Sequence, residues 1–80
     1  MLFYSVYILK LSNGDYYIGR TENIKRRLRE HYSGQERTTK RYLPYSIEAI
    51  IYFKSKDTAF KFERYLKTGS GIAFRNKHLV

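Results

Sequence analysis

A glutamate on an apolar face is the first residue that calls for a chemical explanation. In the segment 56–67 the spacing of Ala59, Phe62 and Leu66 predicts a helix with those side chains toward a core. Steps of about 100° per residue then place Glu63 about 40° from Ala59, between it and Phe60. A carboxylate in an apolar arc needs a cation, because an unpaired buried charge is costly. Two readings are open: Glu63 belongs to a site, or it is an edge residue reaching outward to Lys67 at i+4. The basic stretch from Thr21 to His31 poses a similar choice. There Ile24, Leu28 and Tyr32 form the expected buried stripe of a helix, and Arg27 and His31, four residues apart, lie along one edge of it. A guanidinium at that edge can meet a phosphate with two parallel hydrogen bonds, whereas Lys25, Arg26 and Arg29 face solvent. His31 reads equally as a cation near a helix C-terminus and as a partner of the same phosphate or of nearby tyrosines. Nine tyrosines are present, so spacing by itself does not set Tyr7 and Tyr17 apart from ordinary half-buried strand residues.

The charge balance narrows the partner. Sixteen Lys and Arg against seven Asp and Glu leave +9 on 80 residues. Such a surplus bears on partners rather than fold, and nucleic acid is the expected one, since basic side chains release counterions from phosphates. No broad Leu/Phe/Trp face opposes the lysines, which argues against a membrane surface. The longest apolar run, residues 49–53, is far short of the roughly 20 residues a membrane span needs. No basic leader with a cleavage site precedes it, and the absence of cysteine fits a reduced setting, so a cytoplasmic location is expected. Other chemistries lack their motifs. Gly69-Ser70-Gly71 is followed by no Gly-Lys-Ser/Thr, His31 and His78 are too few for a zinc site, and no serine sits in a nucleophile elbow.

The elements that position these residues follow from pattern and punctuation. Residues 3–11 and 15–20 read as antiparallel strands around Asn13-Gly14. A two-residue turn would set Tyr7 and Tyr17 on opposite faces, and a three-residue turn with left-handed Gly14 would set them on one face. The longer turn is expected if the two act together. Thr21 is the expected N-cap of a helix over 22–32, with Glu22 in its first turn and Ser33-Gly34 as its stop. Residues 33–46 form a long polar loop of the kind often kept for function. A third strand spans 47–53. A second helix runs over 56–67 to Thr68-Gly69, and Ser70 caps a short one over 71–78. The whole is an α/β (α+β) domain over residues 1–80: a small three-stranded antiparallel sheet with two main helices and a short C-terminal helix packed on it.

Taken in order, Ser5-Val6-Tyr7, Tyr17-Ile18-Gly19, Arg27, His31, Glu63 and Asn76 resemble the GIY-YIG nuclease family over nearly the whole chain. The first motif departs from the family name, yet Ser5 stays small and Val6 stays β-branched. The resemblance implies a DNA endonuclease, with DNA preferred over RNA, that nicks as a monomer. Tyr7 would activate water, Tyr17 and His31 would position water or phosphate, and Arg27 would stabilise the transition state. Glu63 would ligate Mg²⁺ or Mn²⁺ with waters and phosphate oxygens completing the shell. A phenol with an ordinary pKa of about 10 needs nearby cations to act as a base at neutrality. Arg20 falls where the family often has a basic residue, and Arg37, Lys40, Arg41 and Asn76 are the further expected substrate contacts. The alternative is a catalytically silent nucleic-acid-binding module, with basic residues on phosphates and tyrosines stacked on exposed bases.

Overall fold

The structure, a computed structural model, describes residues 3–35 and 37–80, with the side chains of Arg37 and Thr38 outside the description. The elements are β1 (Tyr4–Lys10), β2 (Tyr16–Thr21), α1 (Ile24–Tyr32), α2 (Arg37–Lys40), β3 (Ser46–Phe53), α3 (Lys56–Leu66) and α4 (Gly69–His78). The sheet order is β2-β1-β3, antiparallel throughout. β1 is central because both of its faces are apolar: Ser5 through Leu9 are all buried.

Alternate residues of β1 feed two cores. Val6 and Ile8 pack with Ile18, Ala59 and Leu66, and Phe53, Phe62 and Phe74 close around them, so α3 and α4 cover this face. Tyr7 and Leu9 pack with Tyr17, Ile24 and Leu28 on the face covered by α1. The result is three layers, with the sheet between α1 and the α3–α4 pair.

The hairpin takes the longer turn. Tyr7 lies opposite Gly19 and Leu9 opposite Tyr17, so residues 12–14 make the connection and both tyrosines face α1. Gly14, at φ 90°, supplies the left-handed residue that any side chain would strain. Its N–H donates to the Leu11 carbonyl at 2.9 Å, while the Leu11 N–H donates to Asp15 O at 2.8 Å.

Several boundaries differ from expectation. The N-cap of α1 is Asn23, whose Oδ1 accepts the Arg26 N–H at 3.0 Å. Thr21 stays in β2 and accepts the Asn23 N–H at 3.0 Å through Oγ1, so Glu22 precedes the helix and leaves its first turn without an acid. Tyr32 leaves the expected buried stripe: it is 72% exposed, and His31 is buried in its place. The polar loop contains α2, a single turn too short to show a period. α4 begins at Gly69, capped by Thr68 rather than Ser70, with Thr68 Oγ1 accepting the Gly71 N–H at 3.1 Å. Gly71 is required there, because a Cβ would run into the Tyr65 carbonyl and the Leu66 backbone at the end of α3.

Candidate active site

Tyr7 is fully buried in the middle of the sheet, and its hydroxyl is the hub of a polar chain. It lies 2.8 Å from His31 Nε2 and accepts a hydrogen bond from Arg27 Nε at 3.2 Å. His31 Nδ1 is in turn 2.8 Å from Thr39 Oγ1 on α2. Tyr7, His31 and Thr39 are all wholly inaccessible to solvent, so this part of the chain requires every polar member to be satisfied, and Arg27 carries it out to the half-buried helix edge. A proton on Nδ1, donated to Thr39, leaves the Nε2 lone pair to accept from the Tyr7 hydroxyl. The rings pack as well: Tyr17 stands with its centroid 5.0 Å from that of His31 and 6.3 Å from that of Tyr7. Gly19 makes room for this. It sits directly across from Tyr7, and a Cβ at that position would collide with the phenol.

A second half of the site comes round the edge strand β2 from the opposite face. Arg20 points toward α3 and donates through Nε to Glu63 Oε1 at 3.0 Å, and Lys67 holds Oε2 at 3.1 Å. The Arg20 guanidinium also lies over the Phe60 ring, 4.7 Å from its centroid. The Glu63 side chain is only 15% exposed, so the apolar-arc reading was sound. The i+4 partner Lys67 is present too, joined by Arg20 from across the sheet. Arg27 donates to Glu30 Oε1 at 3.1 Å, which steers the guanidinium along the helix edge. Tyr7, Tyr17, Gly19, Arg20, Arg27 and Glu63 together line one open, polar pocket of about 350 Å³. Two guanidinium groups, of Arg20 and Arg27, and the carboxylate of Glu63 are the charges on its wall.

Of the residues expected at a site, Tyr7, Tyr17, Arg20, Arg27 and Glu63 line this pocket, and His31 lies behind it in contact with Tyr7. Asn76 does not join them: it is exposed on α4 and accepts from its neighbour Arg75 at 3.2 Å. Lys40 and Arg41 are exposed and contribute nothing to the pocket wall. Arg37 opens α2, but its side chain lies outside the described residues. Two residues of the site have no distinct signal in the sequence. Thr39 is one threonine among several in a polar stretch, and Gly19 was visible only as part of a motif.

The donor set can be weighed against a divalent ion. Among the described residues Glu63 is the one carboxylate on the pocket wall, and no three His, Cys, Asp or Glu gather into a metal cluster. A single carboxylate is fewer donors than an all-protein calcium or zinc cage uses. It fits a hard ion such as Mg²⁺, which is commonly held by one or two carboxylates with water and phosphate oxygens.

Away from the pocket, Tyr45 donates its phenol to the Leu28 carbonyl at 2.8 Å. Burial, with a smaller contribution from Tyr32 beside it, pushes the Tyr45 phenol above its usual range. Among the described residues no helix is long and apolar enough to cross a membrane.

The chain is 34% identical over 62 residues to a UPF0213 protein of Bacillus cereus, covering 76% of this chain and 65% of that protein. It thus spans slightly under two thirds of that relative's length. It is 42% identical over 69 residues to the structure-specific endonuclease subunit slx1 of Schizosaccharomyces pombe, covering 76% of this chain and 26% of that protein. The solution structure of a UPF0213 protein from Bacillus halodurans superposes with a TM-score of 0.60 at 32% identity, over 96% of this chain and 82% of that one. The profile of the GIY-YIG catalytic domain matches residues 3–74, and the chain belongs to the GIY-YIG family.

Proposed function

We propose that this chain is a metal-dependent DNA endonuclease that hydrolyses one phosphodiester bond per visit. The supporting observation is the convergence of Tyr7, Tyr17, Arg27 and Glu63, from four different elements, on one polar pocket. The endonuclease activity named for the slx1 relative and the +9 charge point the same way. Tyr7 is the group that takes the proton of the attacking water. Its own proton passes to His31 Nε2 along the 2.8 Å hydrogen bond, and Arg27 Nε stabilises the negative charge left on the phenol oxygen. The Arg27 and Arg20 guanidinium groups offset charge on the phosphate as it builds, and Tyr17 orients the phosphate at the pocket mouth. Glu63 is the residue that would hold Mg²⁺ or Mn²⁺. When bound, such an ion supplies further charge neutralisation at the phosphate and leaving oxygen.

The test is nicking of supercoiled plasmid with Mg²⁺ or Mn²⁺, with and without chelator. Cutting that stops with chelator is expected, and Arg27→Ala should slow it by about 10²–10³, as for loss of one donor to developing charge. Near wild-type cutting by both Arg27→Ala and Glu63→Gln overturns the assignment of roles. DNA binding that persists in chelator, with no substrate ever cut, would leave the silent binding module in its place.

A further inference from the structure

The catalytic pocket has a neighbour that the proposed chemistry does not use. Between β2 and the α3–α4 corner lies an open groove of about 350 Å³, floored by buried Leu66 and walled by Tyr16, Tyr17, Lys67, Ile72 and Arg75. Tyr17 stands in the wall of both cavities, and Lys67 of the groove is the residue that grips Glu63 Oε2. The two cavities therefore adjoin at Tyr17. The Arg75 guanidinium lies over the Tyr16 ring, 4.5 Å from its centroid, and Ile72 is 40% exposed at the rim. Among the described residues no carboxylate lines the groove, and from residue 64 to residue 80 the sequence has no acidic residue at all.

An open, apolar and aromatic groove with two cations on its wall suits a heterocyclic base carrying a phosphate. Aromatic rings and guanidinium planes are the surfaces on which unstacked bases lie, and the volume is ample for one nucleotide. A base still stacked inside a duplex cannot enter such a slot without leaving its neighbours, and that step is cheapest where the base is already unpaired. We propose that this groove is a nucleotide subsite that takes an unpaired base next to the scissile phosphate. Resting on the nuclease reading, it makes the preferred substrate DNA with an unpaired nucleotide or single-stranded branch at the cut. Tyr17, in the wall of both cavities, and Lys67, bound to Glu63, join the subsite to the catalytic pocket.

The experiment uses the whole chain in chelator, so that binding is read without cutting. The probes are a fully paired DNA duplex and the same duplex bearing one unpaired 2-aminopurine, with anisotropy for affinity and 2-aminopurine emission for stacking. Wild type should bind the second probe about tenfold more tightly and quench its emission, within the range that stacking of one base contributes. Ile72→Asp, at an exposed helix position, and Arg75→Gln should each abolish the quench and the preference, while binding of the paired duplex changes by less than about threefold. Circular dichroism checks that both variants fold, and either one alone suffices as a test. Equal binding of the two probes by wild type, or a quench that survives Ile72→Asp, overturns the subsite. If plasmid is nevertheless nicked, the nuclease reading stands without it. A preference that is present and lost in the variants, with no plasmid cut, supports the subsite and removes the nuclease. Failure to bind either probe ends both, and leaves an apolar protein segment as the groove's occupant.

Discussion

Replacing Thr39 by valine tests the polar chain behind the pocket. Valine keeps the shape of threonine and removes the Oγ1 that lies 2.8 Å from His31 Nδ1. Both residues are wholly buried, so water does not substitute freely for the lost oxygen. A buried polar group deprived of a partner costs about 1–3 kcal/mol. For a domain of this size that lowers the melting temperature by about 5–20 °C. Catalysis should suffer separately. With Nδ1 no longer tied to Thr39, the imidazole is free to carry its proton on Nε2 and donate it to the Tyr7 oxygen, which removes the acceptor the phenol proton needs. The expected result is a slower nicking rate at saturating DNA with binding little changed. In ¹⁵N spectra of labelled histidine, the protonated nitrogen of His31 should move from Nδ1 toward Nε2. Serine at position 39 should restore both. A Thr39→Val protein with wild-type melting, tautomer and nicking would refute the idea that this hydrogen bond sets the state of the site.

Gly19→Ala should be nearly as damaging as losing Tyr7 itself. The new methyl meets a phenol that is fully buried and anchored by His31 and Arg27, and urea denaturation should show a loss of about 1–3 kcal/mol. Glu63→Gln breaks charge pairs with Arg20 and Lys67 whose cationic partners are exposed. Its stability should therefore change by less than about 1 kcal/mol, while Mn²⁺ binding in the presence of DNA, followed by electron paramagnetic resonance, should be lost. Glu63 is already flanked by two cations, so the ion should bind weakly to the protein alone and more tightly once DNA phosphate is present. By reciprocity the ion should strengthen DNA binding by the same factor, and titrations of each ligand with the other absent and present check this. Tyr45 has a phenol raised by burial in the folded state. Its contribution to stability is whole below the ordinary phenol value of about 10 and fades as pH climbs through the raised folded value. Tyr45→Phe should flatten the alkaline fall in urea midpoint.

How much of this could be read in the residues depends on whether a period or a punctuation mark carried the information. The strands were legible because β1 is apolar on both faces and Asn13-Gly14 marks the turn. Asn-Gly is also the usual pair of a two-residue turn. What selected the longer one was the requirement that Tyr7 and Tyr17 share a face, and the register bears it out. The start of α1 was misjudged because Thr21 and Asn23 are both good caps. Thr21 is drawn into the sheet opposite Ser5, which leaves the cap to Asn23. A four-residue helix such as α2 has no periodicity to detect.

The site divides along the same line. Glu63 was legible because a carboxylate breaks an otherwise apolar helical arc, and Arg27 because it leans off a charged face toward that of Ile24 and Leu28. His31 was legible as a partner of the tyrosines, but its burial was not, since a period count ranks an aromatic above an imidazole and so buries Tyr32. The structure reverses this because burial is decided by the partner on offer. While the Tyr32 ring stays outside, edge-on to Tyr45, the imidazole at 31 meets the Tyr7 hydroxyl on one nitrogen and Thr39 on the other. Those partners lie 24 residues before it and 8 after it, in segments with no shared pattern. A polar residue enters a core only when its complement arrives with it, and that complement is a property of the fold. In this domain the hidden complement also orients the phenol proposed to react, so the polar chain whose Thr39 end local pattern did not foretell joins the stability of the domain to its proposed chemistry.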